Sequence, residues 1–342
     1  MRMMNFGQIN DYVIFGGGAT LVDIARWTQD RGHTVSVFTS PRHTSEPVGV
    51  DGETFQSALE LANISVYVAD DINDDPRLAG HVTDKTLGLA IGPAWIFREG
   101  VLGLFSGRIV NFHGIPLPRV RGGGHYTWQI LMGDYTGGCN IQLIERRLDA
   151  GKVIKTREYK IAGPPRIPRD YFEAASSHDL PFLQEFIGEV ERETTYEPID
   201  LNEGASTYYP RLNTTAQGLI DWNWGGDDIE RIICAFDDPY PGASTMIGDR
   251  RLFLKDSRLV DGSVKFHPYQ SGLVIRRRHS TLFVATTSGE LAVRSVMDEH
   301  GEDVYSSIRR GDRFHTPVAD LDQSRRFVAR YSGTGLNQPR GE

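Results

Sequence analysis

The sequence predicts an α/β fold: an open, mostly parallel sheet flanked by helices, followed by a small β-barrel domain. Three observations carry the prediction. Short β-type runs alternate with segments of helical spacing from Tyr12 to His113, the pattern of successive βαβ units. A length of 342 residues is ample for two domains. Beyond Arg251 the alternation gives way to short strands separated by Gly turns, which read as a small barrel.

Tyr12–Phe15 is a short strand ending in Gly16-Gly17-Gly18. Leu21, Ile24, Ala25 and Thr28 follow at helical spacing, Arg31-Gly32-His33 marks a helix end, and Thr34–Phe38 is a second strand. A glycine-rich turn after a first strand invites a dinucleotide reading, but two features disfavour it. The spacing is GGGA rather than G-x-G-x-x-G, and Thr39-Ser40 stand where an Asp or Glu would end the second strand. Arg42 and His43 are the residues that a 2′-phosphate could still use. Pro41–Gly52 reads as a loop, Thr54–Ala62 as a helix and Ile64–Val68 as a third strand. Asp70–Asp75 reads as a solvated turn and helix cap, because it lacks the spacing of a calcium loop. Thr86–Ile91 is a fourth strand that breaks at Gly92-Pro93, and Arg98–Phe105 is a short helix.

The next strand begins at Ile109-Val110 and delivers Asn111 and His113 at its carboxyl end, where open α/β sheets bind ligands. Side chains two apart in a strand point the same way. A neutral amide can hydrogen-bond a developing oxyanion, and an imidazole can do so while also moving a proton near neutral pH. A carboxylate beside the ring would orient it and favour its charged form. Asp149, in Leu148-Asp149-Ala150-Gly151 after the β-type run Asn140–Ile144, is the candidate carboxylate. Such a set suits acyl transfer, and without a Ser or Cys nucleophile elbow it favours direct attack by the acceptor. Spacing alone leaves open a plainer reading, with His113 a loop histidine and Asp149 a turn residue. Pro116 and Pro118 stiffen the loop after His113, and Gly122-Gly123-Gly124 would allow backbone N–H groups to approach a ligand closely.

These residues carry a family resemblance. Asn-Phe-His at 111–113, Leu-Pro-Arg-Val-Arg-Gly at 117–122, the course from Trp128 through Gly133-Asp134 to Thr136-Gly137, and Leu-Asp-Ala-Gly at 148–151 together resemble the folate-dependent formyltransferases. The interval of 36 residues from His113 to Asp149 matches that family too. The resemblance implies a Rossmann-like catalytic domain, Asn111, His113 and Asp149 as the catalytic set, and 10-formyltetrahydrofolate as co-substrate with no metal. It also places Gly92, Pro93, Ala94 and Trp95, together with Arg147 and Leu148, around the pteridine. One departure is Gly114-Ile115-Pro116-Leu117-Pro118, where the family often has Ser-Leu-Leu-Pro; this bears on how the acceptor amine is presented.

In the second half, Pro164–Ser177 reads as a polar insertion. Asp179–Val190 reads as a capped helix with Pro181 in its first turn and Phe182, Leu183, Phe186, Ile187 and Val190 on one face. Tyr208-Tyr209-Pro210-Arg211 and Gly218–Trp222 resemble the family's linker. Asp227-Asp228 start a helix with Ile229, Ile232, Ile233 and Phe236 on its apolar face, and Pro239–Ala243 ends it. Arg251–Lys255, Gly272–Ile275, Leu282–Ala285 and Glu290–Ser295 are the barrel strands, resembling the OB-like barrel of the family's longer members. Arg276-Arg277-Arg278 reads as a solvated turn. The expected division is a catalytic domain over 1–200, a linker over 201–222, a barrel over 223–331 and a mobile tail over 332–342.

Composition narrows the acceptor. The net charge of −8 argues against a broad nucleic-acid footprint. Ser40–Val50, where tRNA-specific members are expected to carry a basic loop, holds one Arg and one Glu. The resemblance then favours a nucleotide-linked amino sugar, with Arg119, Arg121 and Arg211 as phosphate partners and Gly122-Gly123 beside them, since Arg forks match phosphate geometry. A methionyl-tRNA acceptor and hydrolysis of the folate to formate are the alternatives. Cys139 and Cys234 are too few for a zinc site or disulfide framework and read as buried thiols. The first residues lack a signal peptide's apolar core, and the most apolar run, Leu87–Phe97, is broken by Pro93 and falls short of the about 20 residues of a membrane span. A cytoplasmic enzyme of small molecules, with no membrane partner and a homodimer possible, is the expectation.

Overall fold

The computed structural model describes residues 3–48, 52–146, 151–163, 165–260, 264–332 and 335–336. The chain runs β1 (Asp11–Gly16), α1 (Ala19–Asp30), β2 (Thr34–Thr39), α2 (Pro41–Thr44), α3 (Phe55–Leu61), β3 (Ser65–Val68), β4 (Thr86–Ile91), α4 (Glu99–Phe105) and β5 (Ile109–His113). It continues through β6 (Val120–Gly122), α5 (His125–Met132), β7 (Thr136–Leu143), β8 (Val153–Lys160) and α6 (Pro168–Glu191). The main sheet has the order β3-β2-β1-β4-β5-β7-β8. Its first five strands are parallel, and β7 and β8 add on antiparallel.

Alternation along each strand builds two cores. Tyr12, Ile14, Val37, Leu89, Val110 and Phe112 face α1 and α6, where Leu21, Ile24, Phe182 and Phe186 are fully buried. Val13, Phe15, Phe38, Ala90 and Ile109 face the other way, onto Val101 and Phe105 of α4. Each such side chain contributes about 1.5–3 kcal/mol on burial, so a one-residue register slip, which inverts both faces, is strongly disfavoured. Strand order reverses between β1 and β4, and the crevice beyond their carboxyl ends is the switch point where this class of sheet binds ligands.

Two local expectations change. The turn after β1 is filled by protein: a Cβ on Gly17 would lie 2.5 Å from the His43 ring, and His43 belongs to α2, a helical turn within the segment expected to be a loop. The stretch expected as an insertion followed by a short helix is largely one 24-residue helix, α6, with Pro181 in its interior. Its buried face is continuous through Tyr171, Ala175, Asp179, Phe182, Phe186 and Val190, and that packing offsets the hydrogen bond lost at Pro181. Asp179 is therefore a buried mid-helix residue and not a cap.

After β9 (Thr207–Tyr209), α7 (Thr214–Gln217) and α8 (Gly226–Ala235), five strands form an antiparallel sheet: β10 (Ala243–Ile247), β11 (Arg250–Val260), β12 (Val274–Arg278), β13 (Thr281–Thr286) and β14 (Gly289–Met297), in the order β10-β11-β14-β13-β12. The segment 311–315 hydrogen-bonds to Met246 on one edge and to Gly272 and Val274 on the other, which joins the two edges into a barrel. Arg276–Arg278 lie within β12, not in a turn; Arg276 pairs with Glu290 at 2.6 Å and Arg277 lies over the Tyr305 ring. α8 buries Ile229, Ile232 and Ile233 in a core that also takes in Ile130 of α5 and Tyr171 of α6. α9 (Val318–Arg326) follows, and in the expected tail Tyr331–Ser332 pairs with Gly335–Leu336.

Candidate active site

β5 carries Asn111 and His113 on one face, beyond Ile109 of the same face. The neighbouring strand places Ala90 beside Asn111 and Ile91 beside Phe112, so β4 and β5 end together. β4 then turns at Gly92, whose φ of +59° suits glycine, into Pro93, Ala94 and Trp95. The expected pteridine residues of this segment thus border the crevice next to Asn111 and His113. Trp95 is the most buried of them: it joins the α4-side core and its indole Nε1–H donates to the Asp70 carbonyl at 2.8 Å. Asp149, Arg147 and Leu148 lie outside the described residues.

His113 is 8% exposed and its Nε2 has no hydrogen-bond partner among the described residues. Burial, and then the positive charge of Arg121, push its pKa down to about 4. The ring is therefore a neutral imidazole at physiological pH. A neutral ring suits a group that donates to a developing oxyanion without first giving up a charge, and the carboxylate expected to favour the charged form, Asp149, lies outside the described residues. His125, the first residue of α5, stands edge-on to it with ring centroids 5.2 Å apart, and its Nε2 bonds the Gly122 carbonyl. That carbonyl can only accept, so Nε2 of His125 carries the proton.

The three expected phosphate partners differ. Arg119 is paired with Asp134 at 3.0 Å and holds the turn after α5. Arg121 is 8% exposed; its Nη1 reaches both carboxylate oxygens of Glu203 at 3.1 and 3.2 Å, while Nε and Nη2 have no partner among the described residues. Arg211 packs on the glycine turn, where a Cβ on Gly123 would lie 3.0 Å from its own Cβ. The turn is glycine-rich for that reason and not for an open approach to ligand: a Cβ on Gly122 would sit 2.2 Å from the Tyr209 carbonyl, and the Gly123 N–H is already bonded to that oxygen. β9 lies parallel to β6 with Arg121 opposite Tyr208, so the linker strand covers this side of the site.

Three buried polar residues near the strand ends were not singled out by the sequence. Asn140 and Gln142 of β7 are 0% and 2% exposed, directly opposite His113 and Asn111. Asp179 accepts from the Cys139 thiol at 3.3 Å, and burial raises its pKa to about 7. The available signal was the alternation of polar with apolar residues, Asn140-Ile141-Gln142-Leu143, in a strand otherwise rich in buried side chains. Among the described residues no group of three His, Cys, Asp or Glu could hold a metal ion, and no helix is long and apolar enough to cross a membrane.

A strand pair that ends in Asn-x-His at a switch-point crevice, with an appended barrel, is the geometry that comparison with known proteins resolves. The formyl transferase family model matches residues 13–164, and that for the formyl transferase C-terminal domain matches residues 213–307. The chain belongs to the formyl transferase family. It is a formyl-transferring enzyme. Among similar proteins, the methionyl-tRNA formyltransferase of Streptococcus thermophilus is 27% identical over 280 residues, covering 80% of this chain and 85% of that protein. The Roseobacter denitrificans methionyl-tRNA formyltransferase is 28% identical over 219 residues, covering 62% and 70%. Two solved structures share the fold. One is WlaRD, a sugar 3N-formyl transferase studied with dTDP and 5-N-formyl-THF, with TM-score 0.62 and 14% identity, covering 84% of this chain and 98% of that one. The other is an N-formyltransferase from Helicobacter canadensis in complex with folinic acid and dTDP-3-aminofucose, with TM-score 0.63 and 15% identity, covering 84% and 99%.

Proposed function

We propose that this formyltransferase moves the formyl group of 10-formyltetrahydrofolate to the primary amine of a small anionic acceptor, a nucleotide-linked amino sugar. The observation that carries the acceptor is Arg121. A guanidinium this buried, paired with a surface carboxylate and with two N–H-bearing nitrogens unpartnered among the described residues, is costly unless an anion completes it. A diphosphate supplies that anion. The segment after β2 supports a small acceptor, because it forms the compact α2 turn with His43 packed inward. The ligands named for WlaRD and the Helicobacter canadensis enzyme are of the same chemical kind.

The crevice fits the folate donor in one respect that belongs to these residues: an unpartnered His113 Nε2 beside a glycine turn at the strand ends. Bound there, the folate supplies the formyl carbon. Asn111 and His113 donate to the formyl oxygen as it gathers charge during attack by the neutral amine. Asp149 orients the imidazole and helps relay the proton that the amine loses; the bond from the formyl carbon to N10 of the folate would break, with N10 gaining a proton as tetrahydrofolate leaves. Gly92, Pro93 and Ala94 line the pteridine side with Arg147 and Leu148, and Arg121 with Arg211 anchors the acceptor.

A methionyl-tRNA acceptor is the competing reading, favoured by the names of the relatives at 27–28% identity. The deciding experiment offers 10-formyltetrahydrofolate with a panel of dTDP-, GDP- and UDP-linked amino sugars and, separately, initiator methionyl-tRNA. Formylated sugar nucleotide is expected. Product on tRNA alone overturns the acceptor, and formate released without any amine overturns transfer in favour of hydrolysis.

A further inference from the structure

We propose that Asn140 and Gln142 of β7 are positioning residues that hold the two segments of the catalytic unit at a fixed offset. The inference rests on the reading of Asn111, His113 and Asp149 as that unit.

β7 is an interior strand between β5 and β8. Strands buried on both faces ordinarily read as apolar runs, and two fully desolvated amides in one strand need a compensating set of hydrogen bonds. Directly opposite residues of an antiparallel pair share a face of the sheet. The register His113↔Asn140 and Asn111↔Gln142 therefore puts both amides on the face of the catalytic residues.

Their hydrogen bonds go to the chain on either side of the site. Asn140 Nδ2 donates to the carbonyls of His113 at 3.1 Å and Ile115 at 2.5 Å. Asn140 Oδ1 accepts from the Thr156 hydroxyl at 2.7 Å, from the residue opposite it on β8. Carbonyls only accept, so the amide's orientation is dictated by its partners. The carbonyls flanking Gly114 are thereby drawn to one point, and the chain must turn as soon as it has delivered His113. Gln142 Nε2 donates to the Gly151 carbonyl at 2.8 Å. Gly151 lies hard against β7, where a Cβ would sit 1.7 Å from the Leu143 carbonyl oxygen. Gly151 closes the Leu-Asp-Ala-Gly signature, so the Gln142 bond ties the end of that signature to β7. The β7–β8 ladder slips between Ile141 and Gln142, a bulge of the kind that re-aims a side chain.

The test uses full-length enzyme, 10-formyltetrahydrofolate and the amine that the wild type formylates in the screen above. Asn140→Leu and Gln142→Met each remove the donor while keeping a side chain of similar shape. Each is expected to lower kcat by about tenfold or more, with KM and donor affinity within about twofold of wild type. Positioning acts through its target, so Gln142→Met should cost nothing further in an Asp149→Ala background, nor Asn140→Leu in a His113→Ala background, with residual rates read by single turnover. Losses that multiply in those backgrounds overturn the proposal, as does a change confined to KM. If His113→Ala and Asp149→Ala themselves keep wild-type turnover, the catalytic reading fails and this inference falls with it. Where a variant lacks a cooperative thermal transition, Asn140→Ser and Gln142→Asn, which keep a donor but cannot complete the same bonds, carry the same expectation.

Discussion

Arg121 lies close enough to His113 for its charge to reinforce burial in holding the imidazole neutral, with a pKa of about 4. The ring proposed to face the reacting carbonyl is thus kept neutral by burial and, second, by the side chain proposed to receive the acceptor's anion. Turnover should then show no loss from His113 protonation until the pH approaches 4. Arg121→Met removes the charge, so the His113 pKa should rise toward its ordinary value near 6.5. The acid limb of kcat should move up with it, read by a pH–rate profile and by NMR titration of the ring.

Replacing His113 by Ala should lower kcat by about 10²–10⁴-fold, the range for a positioned proton-transfer or oxyanion-stabilising group, with folate affinity retained. Equilibrium binding of the donor alongside single-turnover rates checks both halves of this expectation.

Asp179 and His113 place opposite demands on stability as pH changes. The Asp179 carboxyl is raised from 3.8 to about 7 by burial, so the folded state prefers it protonated, and stability falls as pH rises from about 4 through 7. His113 is lowered from 6.5 to about 4, so its contribution is lost as pH falls from 6.5 toward 4. Asp179→Asn should therefore stabilise the protein at pH 8, by on the order of 3 kcal/mol, and have little effect at pH 4. Thermal midpoints at the two pH values test the difference; equal shifts at both would refute it.

How much of this was legible in the sequence depended on whether the cause was local. β1 to β5 were, because hydrophobic alternation and glycine turns are local signals, and Asn111 and His113 could be placed at a strand end for the same reason. α6 was not. Asp179 followed by Pro181 has the look of a helix start, and only the buried face that runs from Tyr171 to Val190 on both sides of the proline shows a single helix. The glycines at 122–124 were correctly singled out, but their cause lies about 85 residues away, in the backbone of Tyr209 and the side chain of Arg211. Asn140 and Gln142 have polar identities that only the strand register connects to His113 and Asn111.

Gly151, which closes the Leu-Asp-Ala-Gly signature, has a steric cause that mutation exposes. A Cβ there would meet the Leu143 carbonyl at 1.7 Å, and backbone cannot move aside as a flexible side chain can. Gly151→Ala should displace the chain next to Asp149, lowering the thermal midpoint and reducing kcat. Gly163→Ala is a useful control: its added methyl meets nothing within 4 Å, so its cost is confined to its φ of +78°.

Glu203 provides the sharpest test of the anionic acceptor. Its carboxylate faces the Nη1 of Arg121 at 3.1 Å from an exposed position, and the guanidinium has two further nitrogens without a partner among the described residues. A diphosphate arriving at Arg121 must compete with that carboxylate or approach it against like charge. Glu203→Gln keeps the shape and removes the repulsion, so KM for a nucleotide-linked amino sugar should fall several-fold while kcat holds. The gain should shrink with added salt, because screening weakens the interaction that is removed. Arg119→Ala, which breaks only a surface pair with Asp134, should leave that KM nearly unchanged. Steady-state kinetics at two ionic strengths measure both. A KM that rises in Glu203→Gln would mean the carboxylate helps to hold Arg121 in its binding geometry, and the acceptor's anion would then have to be sought at Arg211.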